Sequence, residues 1–93
     1  MTTFGAYEWD ETKNASNLAK HGISFADVTE IWSDLNLAQL KSRDTEIDEQ
    51  RFLCIGKIDQ TIWSCIITYR QQRIRIMSAR RASKLEIKVY EKK

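Results

Sequence analysis

Arginine alternates with smaller or apolar side chains through Arg73-Ile74-Arg75-Ile76-Met77-Ser78-Ala79-Arg80-Arg81. Successive side chains of a strand leave on opposite faces. The alternation therefore predicts Arg73, Arg75 and Met77 on one face and Ile74, Ile76 and Ser78 on the other. A guanidinium fork matches the oxygens of a phosphate, so the chemistry suggested is the binding of a polyanion. The solvated outer face of an antiparallel sheet explains the alternation too. Continuation of the charge into Arg80, Arg81 and Lys84 favours the anion site. A second candidate is Lys20-His21-Gly22, which carries the only histidine of the chain. At the end of a helix it is a cation near the negative pole of the helix dipole, and histidine is also the usual proton-transfer group near neutral pH. Glu49-x-Arg51 is a third candidate, which reads most simply as a rim ion pair.

The distribution of charge supports a polyanionic partner. Residues 70–93 hold nine basic and two acidic side chains, a net +7, while residues 1–69 hold six basic and eleven acidic, a net −5. The overall +2 conceals a dipolar chain. Other chemistries find no support. There is no glycine-rich phosphate loop and no dinucleotide fingerprint. A single histidine and two cysteines, Cys54 and Cys65, are too few for a zinc site, so no metal and no cofactor are expected. The cysteines lie in apolar runs and read as reduced, buried and inert. Asp10, Glu11, Asp27 and Glu30 fall in first helical turns, where acidic residues suit the dipole rather than a carboxylate pair. No apolar run is long enough to span a bilayer and no secretory signal is visible, so a cytoplasmic protein is expected.

Ninety-three residues with 42% apolar composition make one domain, 1–93, with a thin core. The pattern predicts a short strand over 4–9, then a helix over 11–20 capped by Asp10 and ended by Gly22. Ala15 and Leu18 give that helix only a narrow apolar stripe. Ser24 opens a second helix with Phe25, Val28, Ile31, Trp32 and Leu35 at helical spacing. Residues 36–40 read as a weak strand and 41–50 as a solvated loop. Strands follow over 51–57, 61–69 and 73–78, joined by short turns into an antiparallel meander. Ser83-x-x-Glu86 has capping-box spacing and starts a last helix to about residue 90, with Leu85 and Val89 on one face.

Three segments together carry a family resemblance. Glu8-Trp9-Asp10-x-x-Lys13-Asn14-x-x-Asn17-x-x-Lys20-His21-Gly22-Ile23-Ser24-Phe25 resembles the opening signature of the BrnT family of bacterial toxins. Glu49-x-Arg51-Phe52-x-x-Ile55-Gly56 resembles its middle motif, and Arg73 through Ala82 its closing motif. The resemblance implies an α+β, RelE-like fold: an antiparallel sheet with two N-terminal helices and a C-terminal helix. It also implies the toxin of a type II toxin–antitoxin system, a metal-independent endoribonuclease that cleaves RNA and inhibits translation. A BrnA-like ribbon-helix-helix antitoxin would neutralise it in a hetero-oligomer, and operator DNA would be bound only through that antitoxin. By family position the catalytic residues are Lys20, His21, Arg51, Ser78 and Arg80, with Lys13, Arg75 and Arg81 binding RNA. The implied roles are a phosphate clamp for Arg51 and Arg80, charge stabilisation for Lys20, proton exchange for His21 and positioning of a phosphate oxygen for Ser78. The same basic surface on a non-catalytic module for antitoxin or nucleic acid is the alternative.

Overall fold

The computed structural model describes residues 1–42 and 49–92, so most of the loop expected over 41–50 lies outside the described residues. Among the described residues the elements are β1 (Thr2–Phe4), β2 (Tyr7–Trp9), α1 (Glu11–His21), α2 (Phe25–Val28) continued by a 3-10 segment (Thr29–Ser33), β3 (Ala38–Lys41), β4 (Arg51–Ile58), β5 (Thr61–Arg70), β6 (Arg73–Arg81) and α3 (Lys84–Glu91). The strands form one sheet in the order β1-β2-β6-β5-β4-β3. Every pairing is antiparallel except that of β2 with β6. The mixed α+β class agrees with the sequence pattern. The single strand expected over 4–9 is a hairpin instead, turned at Gly5 with φ 61°.

Local chemistry sets the element boundaries. The Asp10 carboxylate accepts from the Thr12 and Lys13 N–H groups, and Gly22 ends α1 in the left-handed conformation. Ser24 caps α2, and Ser83 with Glu86 forms a full capping box on α3. At the β5–β6 turn Gln71 and Gln72 both take positive φ, as a tight two-residue hairpin turn requires.

The core lies between one sheet face and the first two helices. Trp9, Phe25, Val28 and Ile31 pack on Cys54, Cys65, Ile67, Ile76 and Ala79. The 3-10 segment crosses directly over Gly56, where an added Cβ would stand 2.6 Å from the Ile31 Cβ. The second helix is shorter than its apolar spacing predicts. The tighter segment ends at Ser33 and leaves Leu35 fully exposed, while Phe25, Val28 and Ile31 stay buried.

α1 docks by polar contacts, not by the expected Ala15 and Leu18 stripe; Leu18 is 50% exposed. Asn17 is the buried residue of this helix. Its carboxamide donates to the Ile23 carbonyl at 3.1 Å and accepts from the Ala79 N–H at 3.0 Å. Asn14 accepts from the Phe25 N–H at 2.8 Å. Replacing Asn17 by Ala should lower the unfolding free energy by roughly 2–4 kcal/mol, because two buried backbone groups lose their partner together. A urea midpoint that falls with an unchanged slope checks this, and a loss below about 0.5 kcal/mol would show water taking the place of the carboxamide.

Candidate active site

A β-bulge decides which side chains of β6 share a face. Ile67 pairs with Ile76 but Ile66 pairs with Ser78, so Met77 is the extra residue. Plain alternation puts Ser78 with Ile74 and Ile76. The bulge reverses the phase, so Ser78 and Arg80 join Arg73 and Arg75, and Ala79 turns into the core.

Cross-strand register then builds a polar row across five strands on the face opposite the core. Thr3 pairs with Glu8, Glu8 with Arg75, Arg75 with Thr68, and Thr68 with Arg51. Arg51 and Arg75 stand on either side of buried Thr68, their Cα atoms about 10 Å apart by strand spacing. Each guanidinium meets a carboxylate: Arg75 with Glu8 at 3.2 Å and Arg51 with Glu49 at 3.4 Å. Arg73 and Arg70 pair in the same phase, nearer the β5–β6 turn. The next row of this face is mainly apolar, running Ser78–Ile66–Leu53–Leu40.

Beyond β2, α1 covers the edge of β6 and completes a second part of the site. Lys13, Ser16, Asn17, Lys20 and His21 line a cleft of about 210 Å³ with Met77 and Ser78. Four of the eight residues expected at the site, Lys13, Lys20, His21 and Ser78, thus meet in one place. Two more, Arg51 and Arg75, share the polar row. Arg80 is on the same face, but four residues further along the sheet, with its Cα about 16 Å from that of Arg51. Both of its terminal nitrogens are engaged by Glu86, at 2.7 and 2.8 Å. Glu86 also accepts from the Ser64 hydroxyl and the Ser83 N–H, so this cluster ties α3 to the sheet. Arg81 belongs to the opposite face, 5.9 Å from the Trp63 ring centroid. Leu85, expected to dock α3, is largely exposed. Ile87 and Val89 are half-buried, and Glu86 and a hydrogen bond from the Tyr90 hydroxyl to Asp34 add polar contacts that hold the helix.

A family model described as the ribonuclease toxin, BrnT, of a type II toxin–antitoxin system matches residues 9–86. The chain belongs to the BrnT family. No curated protein matches the chain in a sequence search. The matched range contains all eight residues named above and stops one residue short of Glu8. Among the described residues, no group of three His, Cys, Asp or Glu side chains is placed to hold a metal ion, and no helix is long and apolar enough to cross a membrane.

Three polar residues of this BrnT family member, Thr3, Glu8 and Thr68, stand on the main row although none was among the eight expected site residues. Only Glu8 carries a signal that could have found it, since it alternates with Tyr7 and Trp9, which both pack on the helix side. Cys54 and Cys65 are free, buried and in register with each other. Burial pushes the Cys54 thiol up to about 12 and the Cys65 thiol well above its ordinary range, so neither offers a thiolate.

The Glu86 carboxyl is pulled down to about 2, chiefly by the hydrogen bonds from Arg80, against its partial burial and with help from Ser83 and Ser64. Its folded value lies below the unfolded one, so between the two the unfolded chain binds more protons. The stabilisation is complete above the ordinary glutamate range and is lost as pH falls toward about 2. The difference in thermal midpoint between the wild type and Glu86→Gln should be widest above about pH 5 and close toward pH 2. A difference independent of pH would show that the Arg80 contact does not depend on the charge of Glu86.

Proposed function

We propose that the chain is a metal-independent endoribonuclease of RelE-like fold that cuts RNA on the open face of its sheet and inhibits translation in the cytoplasm. Its proposed partner is a BrnA-like ribbon-helix-helix antitoxin, which neutralises it in a hetero-oligomer and carries the operator DNA contact. The observation that supports this most is the adjacency of two features. One is the Arg51–Thr68–Arg75 row, and the other is the cleft of Lys13, Lys20, His21 and Ser78 against β6.

RNA brings its own nucleophile. Holding the 2′-hydroxyl in line with the adjacent phosphorus, and stabilising the charge that develops on the phosphoryl oxygens, is enough to break the chain. In the proposed arrangement Arg75 and Arg51 hold phosphates along the row. Lys20 and Lys13 add positive charge from α1, and the Ser78 hydroxyl donates to a phosphoryl oxygen. His21 exchanges a proton with a reacting oxygen. The products are a 2′,3′-cyclic phosphate and a 5′-hydroxyl. Arg80 acts through α3, whose seat it fixes, and Arg81 contributes charge from the rim.

A non-catalytic binding module is the second reading. It is favoured by the carboxylate that faces each of Arg51, Arg75 and Arg80. Cleavage by the purified protein separates the two. Wild-type protein should cut single-stranded RNA with a chelator present and leave cyclic phosphate ends. Lys20→Ala should lower the rate by about 100-fold, with a thermal midpoint unchanged because Lys20 is exposed. Arg75→Lys, which keeps the charge and loses the fork, should fall by a similar factor. Intact RNA at protein excess would establish the binding module, and full activity in both variants would put the reaction elsewhere.

A further inference from the structure

We propose that the Glu8 carboxylate is the proton acceptor of this site, taking the proton from the attacking 2′-hydroxyl while Arg75, bonded to it, holds the phosphate. The inference rests on the ribonuclease reading above and adds to it a role for Glu8, the first residue of the opening motif.

Position is the first argument. Tyr7 and Trp9 pack against Trp32 and Phe25 on the helix side, so Glu8 between them leaves on the open face, in register with Arg75. Orientation is the second. Glu8 Oε2 lies 3.2 Å from Arg75 Nη1, and the Glu8 side chain is only 13% exposed, so the carboxylate is held in place and partly withdrawn from water. Among the described residues no donor meets its other oxygen, Oε1. A guanidinium has five N–H donors, and one contact with Glu8 leaves others for a phosphate.

Among the described residues, the other carboxylates near the site are occupied or remote. Glu86 receives Arg80, Ser64 and Ser83. Glu11 receives Thr2, Trp9 and Asn14, and Asp10 caps α1. Glu49 pairs with Arg51, two strands away from Arg75. Among the described residues, Glu8 alone borders β6 where the polar row meets the α1 cleft. The stretch from Arg75 to Ser78 then lies between Glu8 at one end and the cleft containing His21 at the other. An in-line displacement needs this order, an acceptor beside the entering oxygen and a donor beside the leaving one.

The step balances. The O2′ proton passes to the Glu8 carboxylate as the O2′–P bond forms. The P–O5′ bond breaks, and O5′ takes a proton from the His21 imidazolium. The protein is left with a neutral Glu8 and a neutral His21, which exchange with solvent to restore the starting state. The products are the cyclic phosphate and the 5′-hydroxyl.

The test uses the full chain and a short single-stranded RNA. Glu8→Gln keeps the side-chain shape and an oxygen for Arg75 but loses its proton affinity. Its kcat should fall about 100-fold or more, with KM within about 3-fold and an unchanged unfolding midpoint. A Glu8→Gln rate within about 3-fold of wild type overturns the role of Glu8 and leaves the ribonuclease reading standing, whereas wild-type protein that leaves RNA intact overturns both. If Glu8→Gln shifts the unfolding midpoint, Glu8→Asp decides. Its charge remains but sits one methylene short, so a loss of about 10-fold or more is expected, and an undiminished rate overturns the inference.

Discussion

Strand β2 pairs with only the first part of β6, through Ile74 and Arg75. Beyond that point the edge of β6 would present a buried, unpaired N–H at Ala79. The Asn17 carboxamide fills the gap, and its amide end takes the Ile23 carbonyl beyond the end of α1. One side chain therefore completes the sheet and fixes both the position and the end of the helix. The consequence reaches the surface. Lys13 and Lys20 are four residues before and three after Asn17, so the turns that carry them are set by the same contact. Met77 and Ser78, immediately before Ala79, become the opposite wall of the cleft. Without the bulge at Met77, Ser78 would face the core and the cleft would lose its hydroxyl.

The electrostatics of the face follow from crowding. Arg51, Arg70, Arg73, Arg75 and Arg80 all project from one side of a small sheet, and like charges at that spacing oppose folding. Carboxylates offset the repulsion at Arg51, Arg75 and Arg80, and the Gly5 carbonyl accepts from Arg73. Anion binding on such a face is an exchange, in which a phosphate must outcompete or share a guanidinium that already has a partner. Arg75 and Arg80 show the difference. Arg75 gives Glu8 a single contact, whereas Arg80 is held on two nitrogens by a carboxylate that is itself fixed by Ser64 and Ser83. The first is suited to sharing and the second to holding a helix down.

What the sequence made legible follows the range of each interaction. Caps at Asp10, Ser24 and Ser83, the turn glycine at Gly22 and the runs of β4, β5 and β6 are local, and their residues announce them. The eight expected residues were chosen by type and family position, and which of them share a face depends on register, which the sequence does not show. A one-residue bulge at Met77 reverses half of β6, and nothing in Arg73-Ile74-Arg75-Ile76 marks where it falls. The docking of α1 was hidden because asparagines replace the apolar stripe that amphipathicity looks for. Leu35 and Leu85 misled for the opposite reason. They continue an apolar spacing whose helix stops too soon or turns them to solvent. The parallel pairing of β2 with β6 joins residues 67 apart in sequence, beyond the reach of any local pattern, and it is this pairing that sets Glu8 beside Arg75.

α3 sets the working area of the sheet. Through Glu86 and Tyr90 it lies over the row that contains Arg80, Ser64, Ile55 and Ala38, and it leaves open the two rows next to it. Those rows differ in chemistry. One is Thr3–Glu8–Arg75–Thr68–Arg51, polar and charged. The other is Ser78–Ile66–Leu53–Leu40, whose aliphatic side chains are only partly withdrawn from water. On the proposed reading, a single RNA strand needs both kinds of surface, one for its sugar-phosphate chain and one for the faces of its bases. Neighbouring rows of an antiparallel face lie about 7 Å apart along the strands, so the two surfaces stand side by side. On that reading the Arg80–Glu86 contact acts on the site from a distance. By keeping α3 on the third row it stops the helix from spreading over the second, so that the apolar strip stays open beside the charged one.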